Sequence, residues 1–421
     1  MIKKAKRVIA HPLFSGSALM VGGSMVVNAV NYVYHLVMGR LLGPVDYGSL
    51  ASVFSVLYMT TIIPISTSFS IVKFISSAKD VKERAAVYHS VKKLLWKIGA
   101  AAFIIMLFLS PFIAKFLHIP NVLTVALVGP IVFFSLITLV NQASMQGVLK
   151  FIGLVGPNFI SATAKLVLGV IFVFLGFSVT GAIGGVLIAV MAAYFLSVRF
   201  KGSLFTQKTN KKFELKPFLK YSLPVLLQAL AFTSFFTVDV ILARHFLPSF
   251  EAGLYAALSI LGKIIFFAAQ PVTSVMFPIV SGRRAKGERF REVFYASFFL
   301  TIFISVSIVL FYYLFPEIAI GLLYGKKYLA ASSELVWMGG FMAVYTASYI
   351  VVNFLLSINR TKIVTLTLLA ATGQIVGIWL YHGSILQIIQ VSLASMLAMF
   401  SGLTLYLGYN QLAKAYARKK D

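Results

Sequence analysis

Long apolar runs, broken at nearly regular intervals by short polar stretches, extend along the whole chain. A run of about 20 mostly apolar residues is long enough to cross a bilayer as a helix. Twelve such runs are expected, over residues 13–38, 48–72, 94–116, 121–147, 152–177, 180–198, 219–243, 252–278, 293–315, 332–357, 362–381 and 385–408. The first run exceeds the apolar core of a signal peptide, and no small-residue cleavage pattern follows it, so it is read as a span that stays.

Between the first two runs lie Gly39-Arg40-Leu41-Leu42-Gly43-Pro44 and Asp46-Tyr47-Gly48, with Gly and Pro spaced as in a tight turn between two helices. The pattern returns. Arg244 and Pro248 match Arg40 and Pro44 at an offset of 204, and Gly253 and Ala256 match Gly48 and Ala51 at 205. The chain therefore reads as two copies of one six-span unit, residues 1–200 and 219–421, joined by a basic linker at 201–218. Six is even, so the second copy starts on the same side as the first. Parallel repeats of this kind place a path between them. The expected fold is an all-α integral membrane protein, with twelve helices in two parallel six-helix lobes around a central cavity.

Composition agrees: 60% hydrophobic residues, 11% charged residues and a mean hydropathy of +0.93 exceed what a water-facing globule can enclose. Of the 37 Lys and Arg, 30 fall on one face of the expected layout, and only Arg40, Lys115, Arg244, Lys326 and Lys327 fall on the other. Cationic loops stay on the cytoplasmic side, so both termini are expected there. The net charge of +26 is thus a topology signal rather than a nucleic-acid surface. Basic stretches such as Lys79 to Lys97 would favour anionic headgroups. Lys208, Lys211, Lys212 and Lys216 mark the linker as the longest polar break.

The remaining two cations, Lys165 and Lys263, fall near the middle of their spans, where an ammonium without water or a partner costs at least about 2.5–3.5 kcal/mol. Each lies on a polar stripe at helical spacing: Asn158, Ser161 and Lys165 in the fifth span, and Tyr255, Ser259, Lys263 and Gln270 in the eighth. Ser24, Asn28, Asn31 and His35 share a face of the first span, and Gln228 and Asp239 a face of the seventh. The 204 offset sets Asp239 against His35, and Asp239 is the one acid deep within a span. Two cations and one anion leave the expected cavity positive, which suits an anionic guest. Asn141, Gln142, Gln146 and Asn353 are read instead as interhelical hydrogen-bonding residues.

Chemistry of other kinds is not expected. The chain has no cysteine, which excludes disulfides and thiolate metal sites. The four aspartates, Asp46, Asp80, Asp239 and Asp421, are too far apart along the chain to suggest a metal-holding cluster, and no phosphate-binding glycine loop is present. No catalytic residues, metal site or enzyme activity are expected.

The turn at Gly39 to Gly48 is followed in order by Gln146-Gly147-Val148-Leu149, Ala164-Lys165-Leu166 with Gly176, Asp239 ahead of Arg244, and Ala252-Gly253-Leu254-Tyr255 through Phe277-Pro278. This succession resembles the polysaccharide transporter family, the Wzx-type oligosaccharide flippases of the multidrug/oligosaccharidyl-lipid/polysaccharide superfamily. The resemblance implies a central cationic cavity. It also implies movement of an undecaprenyl-diphosphate-linked oligosaccharide from the cytoplasmic to the outer leaflet of a prokaryotic plasma membrane. Lys165 matches the family's basic residue in the fifth span and Asp239 its acid in the seventh.

On this reading Lys165 and Lys263 engage the diphosphate, while Arg40 and Arg244 receive the headgroup at the outer mouth. Asn28, Asn31, Asn158, Tyr255 and Gln270 line the cavity, and Asp239 with His35 binds a coupling H⁺ or Na⁺. No cofactor is expected. The expected partners are the lipid-linked glycan, membrane lipids and a glycan polymerase or glycosyltransferases, without nucleic acid, around a monomer. The related lipid II flippases carry two further helices, so a lipid II cargo is not expected. Two other readings are an antiporter of drugs or organic cations, which would favour acids in the cavity, and a non-transporting scaffold for glycan assembly.

Overall fold

Glycine and proline decide where this chain turns. The computed structural model describes residues 12–60, 62–205, 207, 213–358, 360 and 363–417. Lys208, Lys211 and Lys212 of the expected linker lie outside them, as do Lys3, Lys4, Lys6 and Arg7. The first element, α1 (Pro12–Thr60), is interrupted at Gly43, whose φ of 71° and ψ of 175° belong to a region that only glycine enters without strain. Pro44 opens the next limb, its fixed φ suited to a helix start. The chain doubles back here: the His35 and Phe54 ring centres are 4.9 Å apart, whereas 19 residues of straight helix would separate them by ~28 Å.

The elements that follow in the first half are α2 (Ile62–Ser76), α3 (Val81–Phe116), the short α4 (Val122–Ala126), α5 (Val128–Gly147), α6 (Ile152–Phe172) and α7 (Ser178–Lys201). A reciprocal cap starts α3: the Glu83 amide donates to Asp80 Oδ1 at 2.6 Å, and Glu83 Oε2 accepts from the Lys79 amide at 2.7 Å. Between α6 and α7 a wide turn over Val173–Phe177 reverses the chain at Gly176, φ 88°. Past that turn α6 and α7 close to backbone contact. A Cβ added at Gly185 would lie 2.8 Å from the Gly169 nitrogen. Gly181 meets Phe172 and Phe177 in the same way. The GxxxG of residues 181–185 is thus a helix-packing face within one hairpin.

The second half runs α8 (Leu215–Phe235), α9 (Val238–Phe246), α10 (Ser249–Ala285), α11 (Arg291–Leu314), α12 (Pro316–Leu323), α13 (Leu335–Ser357), α14 (Ile363–Leu380) and α15 (Ile385–Ala417). The chain divides into two compact units, Met1–Ala229 and Leu230–Asp421. Within the first, α6 packs on α7 and α1, and α5 on α2, α3 and α7; within the second, α14 packs on α15 and α9, and α13 on α10, α11 and α15. The same neighbours recur at the same places in the order, as two copies of one unit require.

The described residues are helical without strands, and hold ten helical runs long and apolar enough to span a membrane. Two of the ten, Gly22–Ser76 and Ile152–Lys201, contain 55 and 50 residues and are the hairpins turning at Gly43 and Gly176. The expected count of twelve treats each as a pair. Large apolar side chains such as Phe108, Phe112, Phe174, Phe299 and Phe303 are exposed, a surface that lipid accepts and water does not. Polar side chains inside the runs are satisfied locally: Ser55, Thr67, Thr237 and Ser305 each donate to the carbonyl four residues back. The chain is a multi-pass membrane protein.

Replacing Gly185 by alanine drives a methyl into the α6 backbone, which cannot yield as a side chain would. It is expected to cost about 1–3 kcal/mol, read as a lower unfolding temperature in detergent. Gly184→Ala, with nothing within 4 Å of its added Cβ, should leave that temperature unchanged.

Candidate functional site

In the first unit, Lys165 projects from α6 and is half-buried. Its Nζ donates to Asn31 Oδ1 at 2.6 Å and lies 4.5 Å from the ring centre of Tyr34 and 5.5 Å from that of Phe54. Aromatic faces attract a cation without neutralising it. Among the described residues, no carboxylate is ion-paired with Lys165. Tyr34 is held in turn by its hydroxyl, which donates to the Ala182 carbonyl at 3.3 Å. Gly169 leaves room for its ring, because a Cβ there would come within 2.9 Å of it. His35 is buried beside the rings of Tyr34, Phe54 and Tyr47, with Nδ1 3.5 Å from the Tyr47 hydroxyl.

The second unit builds a different centre around a broken span. The chain leaves helical form between Phe235 and Val238, although neither Phe236 nor Thr237 is a helix breaker. Two side chains from distant helices take backbone carbonyls near the end of α8: the Tyr345 hydroxyl donates to Phe232 O at 3.3 Å, and Gln374 Nε2 to Phe235 O at 3.1 Å. The break sets Asp239 in the first turn of α9, where free amides and the helix dipole favour an anion.

Asp239 is fully buried and accepts from the Tyr255 hydroxyl at 2.8 Å. Gln374 also donates to Ser392 Oγ at 2.9 Å, and Ser392 Oγ in turn donates to the Ile388 carbonyl at 2.9 Å. Lys263, 5% exposed, lies 5.2 Å from the Phe236 ring centre, near enough to Asp239 for the opposite charges to act on one another. Asp239 Oδ1 and Gln374 Oε1 are buried acceptors without a hydrogen bond among the described residues. Also among those residues, no three His, Asp or Glu come together as a metal cluster.

The structure therefore gathers Asn31, His35 and Lys165 in one unit, and Asp239, Tyr255 and Lys263 in the other. The 204 offset is visible in the contacts, since His35 and Asp239 each face a tyrosine hydroxyl from the next helical limb. Asn158 is engaged elsewhere, accepting from Gln142 at 2.8 Å across α5 and α6. Asn141 bridges Tyr88 and Ser197, as an interhelical link should, while Asn353 bonds the Tyr349 carbonyl of its own helix. Asn28 is exposed, Gln270 is half-buried, and neither side chain makes a hydrogen bond among the described residues. Arg40 is exposed, whereas its repeat partner Arg244 is 4% exposed. Sequence reasoning missed Tyr34, Phe54 and Phe236, which look like ordinary packing residues. It also missed Gln374 and Ser392, whose signal was a polar side chain in an apolar helix.

A family model described as "Polysaccharide biosynthesis protein" matches residues 37–333. An uncharacterized membrane protein of Methanocaldococcus jannaschii, MJ1375, is 25% identical over 280 residues, which are 59% of this chain and 63% of that protein. The chain thus spans less than two thirds of the length of the curated relative it matches. Among solved structures, the inward-facing conformation of a multidrug resistance transporter of the MATE family superposes with a TM-score of 0.76 at 14% identity, over 90% of this chain and 95% of that one. The lipid II flippase MurJ, in an inward closed conformation, gives 0.75 at 14% identity over 93% and 87%. A superfamily transporter from Pyrococcus furiosus, described as having a binding pocket of reversed polarity, gives 0.63 at 16% identity over 94% and 96%. At these identities the likeness is one of fold.

The two lysines should respond in opposite ways to loss of charge. Lys263→Met leaves the Asp239 carboxylate uncompensated and is expected to destabilise the protein by about 3 kcal/mol, with much of the loss recovered by adding Asp239→Asn. Lys165→Met removes an ammonium that has no carboxylate partner among the described residues, and should leave thermal unfolding in detergent unchanged or raise its midpoint.

Proposed function

The chain belongs to the polysaccharide biosynthesis protein family and has the fold of the multidrug/oligosaccharidyl-lipid/polysaccharide superfamily, and from that premise we propose that it flips an undecaprenyl-diphosphate-linked oligosaccharide from the cytoplasmic to the outer leaflet. The observation that carries this reading is Lys165: an ammonium held by an amide oxygen and two aromatic rings, with no carboxylate among the described residues to neutralise it. A diphosphate supplies the missing charge. An organic cation would be repelled by it.

In this mechanism the two repeats rock in alternating access. Lys165 holds the diphosphate, and Asn28, Asn31 and Gln270 offer amides to the glycan. Arg40 and Arg244 receive the headgroup at the outer mouth. Lys263 shares its charge between Asp239 and the passing diphosphate. The free oxygens of Asp239 and Gln374, with the hydroxyls of Tyr255 and Ser392, offer a coupling H⁺ or Na⁺ the oxygen donors it needs. His35 is a second place for a proton. The plasma membrane is the site of action, with the basic face and both termini cytoplasmic. The reversed pocket polarity of the Pyrococcus furiosus transporter agrees with cargo class following the charge that each member of the fold carries.

Purified protein in proteoliposomes should move a fluorescent, short-glycan undecaprenyl diphosphate between leaflets, followed by quencher accessibility. Lys165→Gln is expected to slow this at least about tenfold, and Lys165→Gln with Lys263→Gln to abolish it. Normal movement in the double variant removes both lysines from the mechanism. Transport of a cationic dye in place of the lipid-linked sugar overturns the assignment in favour of an antiporter.

A further inference from the structure

A second cationic centre lies at the end of α7, where the linker begins, well away in sequence from Lys165. Lys201 closes α7 and is 9% exposed, an unusual degree of burial for a lysine. Its Nζ lies 5.1 Å from the ring centre of Tyr88 on α3. Lys92, one helical turn beyond Tyr88, brings its own Nζ to 5.9 Å from the same ring. The positive charges of Lys92 and Lys201 act on each other, and both act on His89.

Among the described residues, neither lysine is ion-paired with a carboxylate. The acids at the start of α3 are committed elsewhere, Asp80 to the Glu83 amide and Glu83 to the Lys79 amide. Like charges gathered against one ring, one of them buried, leave a deficit of negative charge that the described residues do not fill.

The platform beneath them is fixed. The Tyr88 hydroxyl donates to Asn141 Oδ1 at 2.8 Å, and Asn141 Nδ2 to Ser197 Oγ at 2.8 Å, tying α3, α5 and α7 together. Phe205 stacks on Tyr88 with ring centres 5.0 Å apart. The surroundings then say what kind of anion fits. On α7, Phe195 and Val198 are exposed and apolar, six and three residues before Lys201, so the apolar surface begins within ~9 Å of the Lys201 backbone along the helix. On α3, exposed Trp96 stands one turn beyond Lys92, where an interfacial tryptophan belongs. A guest that satisfies both has a negative head and an apolar tail.

We propose that Lys92, Lys201 and His89, arrayed around Tyr88, bind the phosphate of an anionic membrane lipid whose acyl chains lie along the exposed apolar flank of α7. This site shares no residue with the one proposed for the cargo. The lipid's charge offsets the repulsion between the lysines and anchors the first residues of the linker, through Phe205, to α3.

The test is retention of lipid by the full chain, purified in detergent and measured by native mass spectrometry, with phosphatidylglycerol against phosphatidylcholine. The wild type should keep phosphatidylglycerol in preference. Lys92→Gln with Lys201→Gln should weaken that retention about tenfold or more, the worth of one to two basic groups near an anionic headgroup. Lys82→Gln with Lys93→Gln, an equal loss of charge at exposed positions of the same helix, should keep it. Lys92→Arg with Lys201→Arg, which preserves the charge, should also keep it and guards against misfolding as the cause.

Equal loss in the two glutamine pairs, or no preference for phosphatidylglycerol in the wild type, overturns the site. Inorganic phosphate that displaces the retained lipid only at high concentration supports the lipid as occupant. Inorganic phosphate that raises the unfolding temperature of delipidated protein as much as phosphatidylglycerol overturns it in favour of a soluble anion.

Discussion

An ammonium group inside a membrane protein has to be accounted for, and Lys165 is accounted for only in part. Asn31 supplies one acceptor, and the faces of Tyr34 and Phe54 supply a weak negative potential. That arrangement holds the charge in place without cancelling it. The surrounding construction follows from keeping it so. Gly169 gives up its side chain to admit the Tyr34 ring, the Tyr34 hydroxyl is fastened to the carbonyl of Ala182, and His35 fills the space behind.

The two repeats show how one scaffold carries two chemistries. Each copy begins with a helix that turns back at a Gly-Pro or Leu-Pro step, and each brings a tyrosine hydroxyl to the same repeat position. In the first copy that position is histidine, and the nearby lysine stands on aromatic rings. In the second it is aspartate, in the first turn of a helix restarted after a break, with Lys263 within electrostatic reach. Lys165 and Lys263 look alike as lone cations in apolar runs, yet one keeps its charge available and the other shares it with an acid.

Much of this was legible in the sequence because lipid leaves few choices. Apolar runs of spanning length, the bias of Lys and Arg, and the return of the Gly39 to Gly48 pattern near residue 244 suffice for a repeated helical membrane protein, and the order of short motifs carried the family. The turn at Gly43 could be read because glycine and proline act locally. The break before Val238 could not, since Phe236 and Thr237 are not breakers and the carbonyls around it are taken by Tyr345 and Gln374, more than a hundred residues away. Asn158 looked like a cavity residue, because nothing in a linear stripe reveals that Gln142 will occupy its oxygen. The close packing at the GxxxG of 181–185 could not be read either, because its partner, Gly169, sits on the preceding helix as a lone small residue.

The meeting of Gly169 and Gly185 bears on how such a protein can diversify. Lys165 stands one turn before a point where two backbones touch, so its location is fixed by main-chain geometry rather than by side chains that drift. A mount of that kind cannot be nudged toward a larger or smaller guest by ordinary substitution. On the function proposed above, adaptation to a new glycan would fall to residues such as Asn28 and Gln270, whose side chains make no hydrogen bond among the described residues, while the Lys165 ammonium stays where it is.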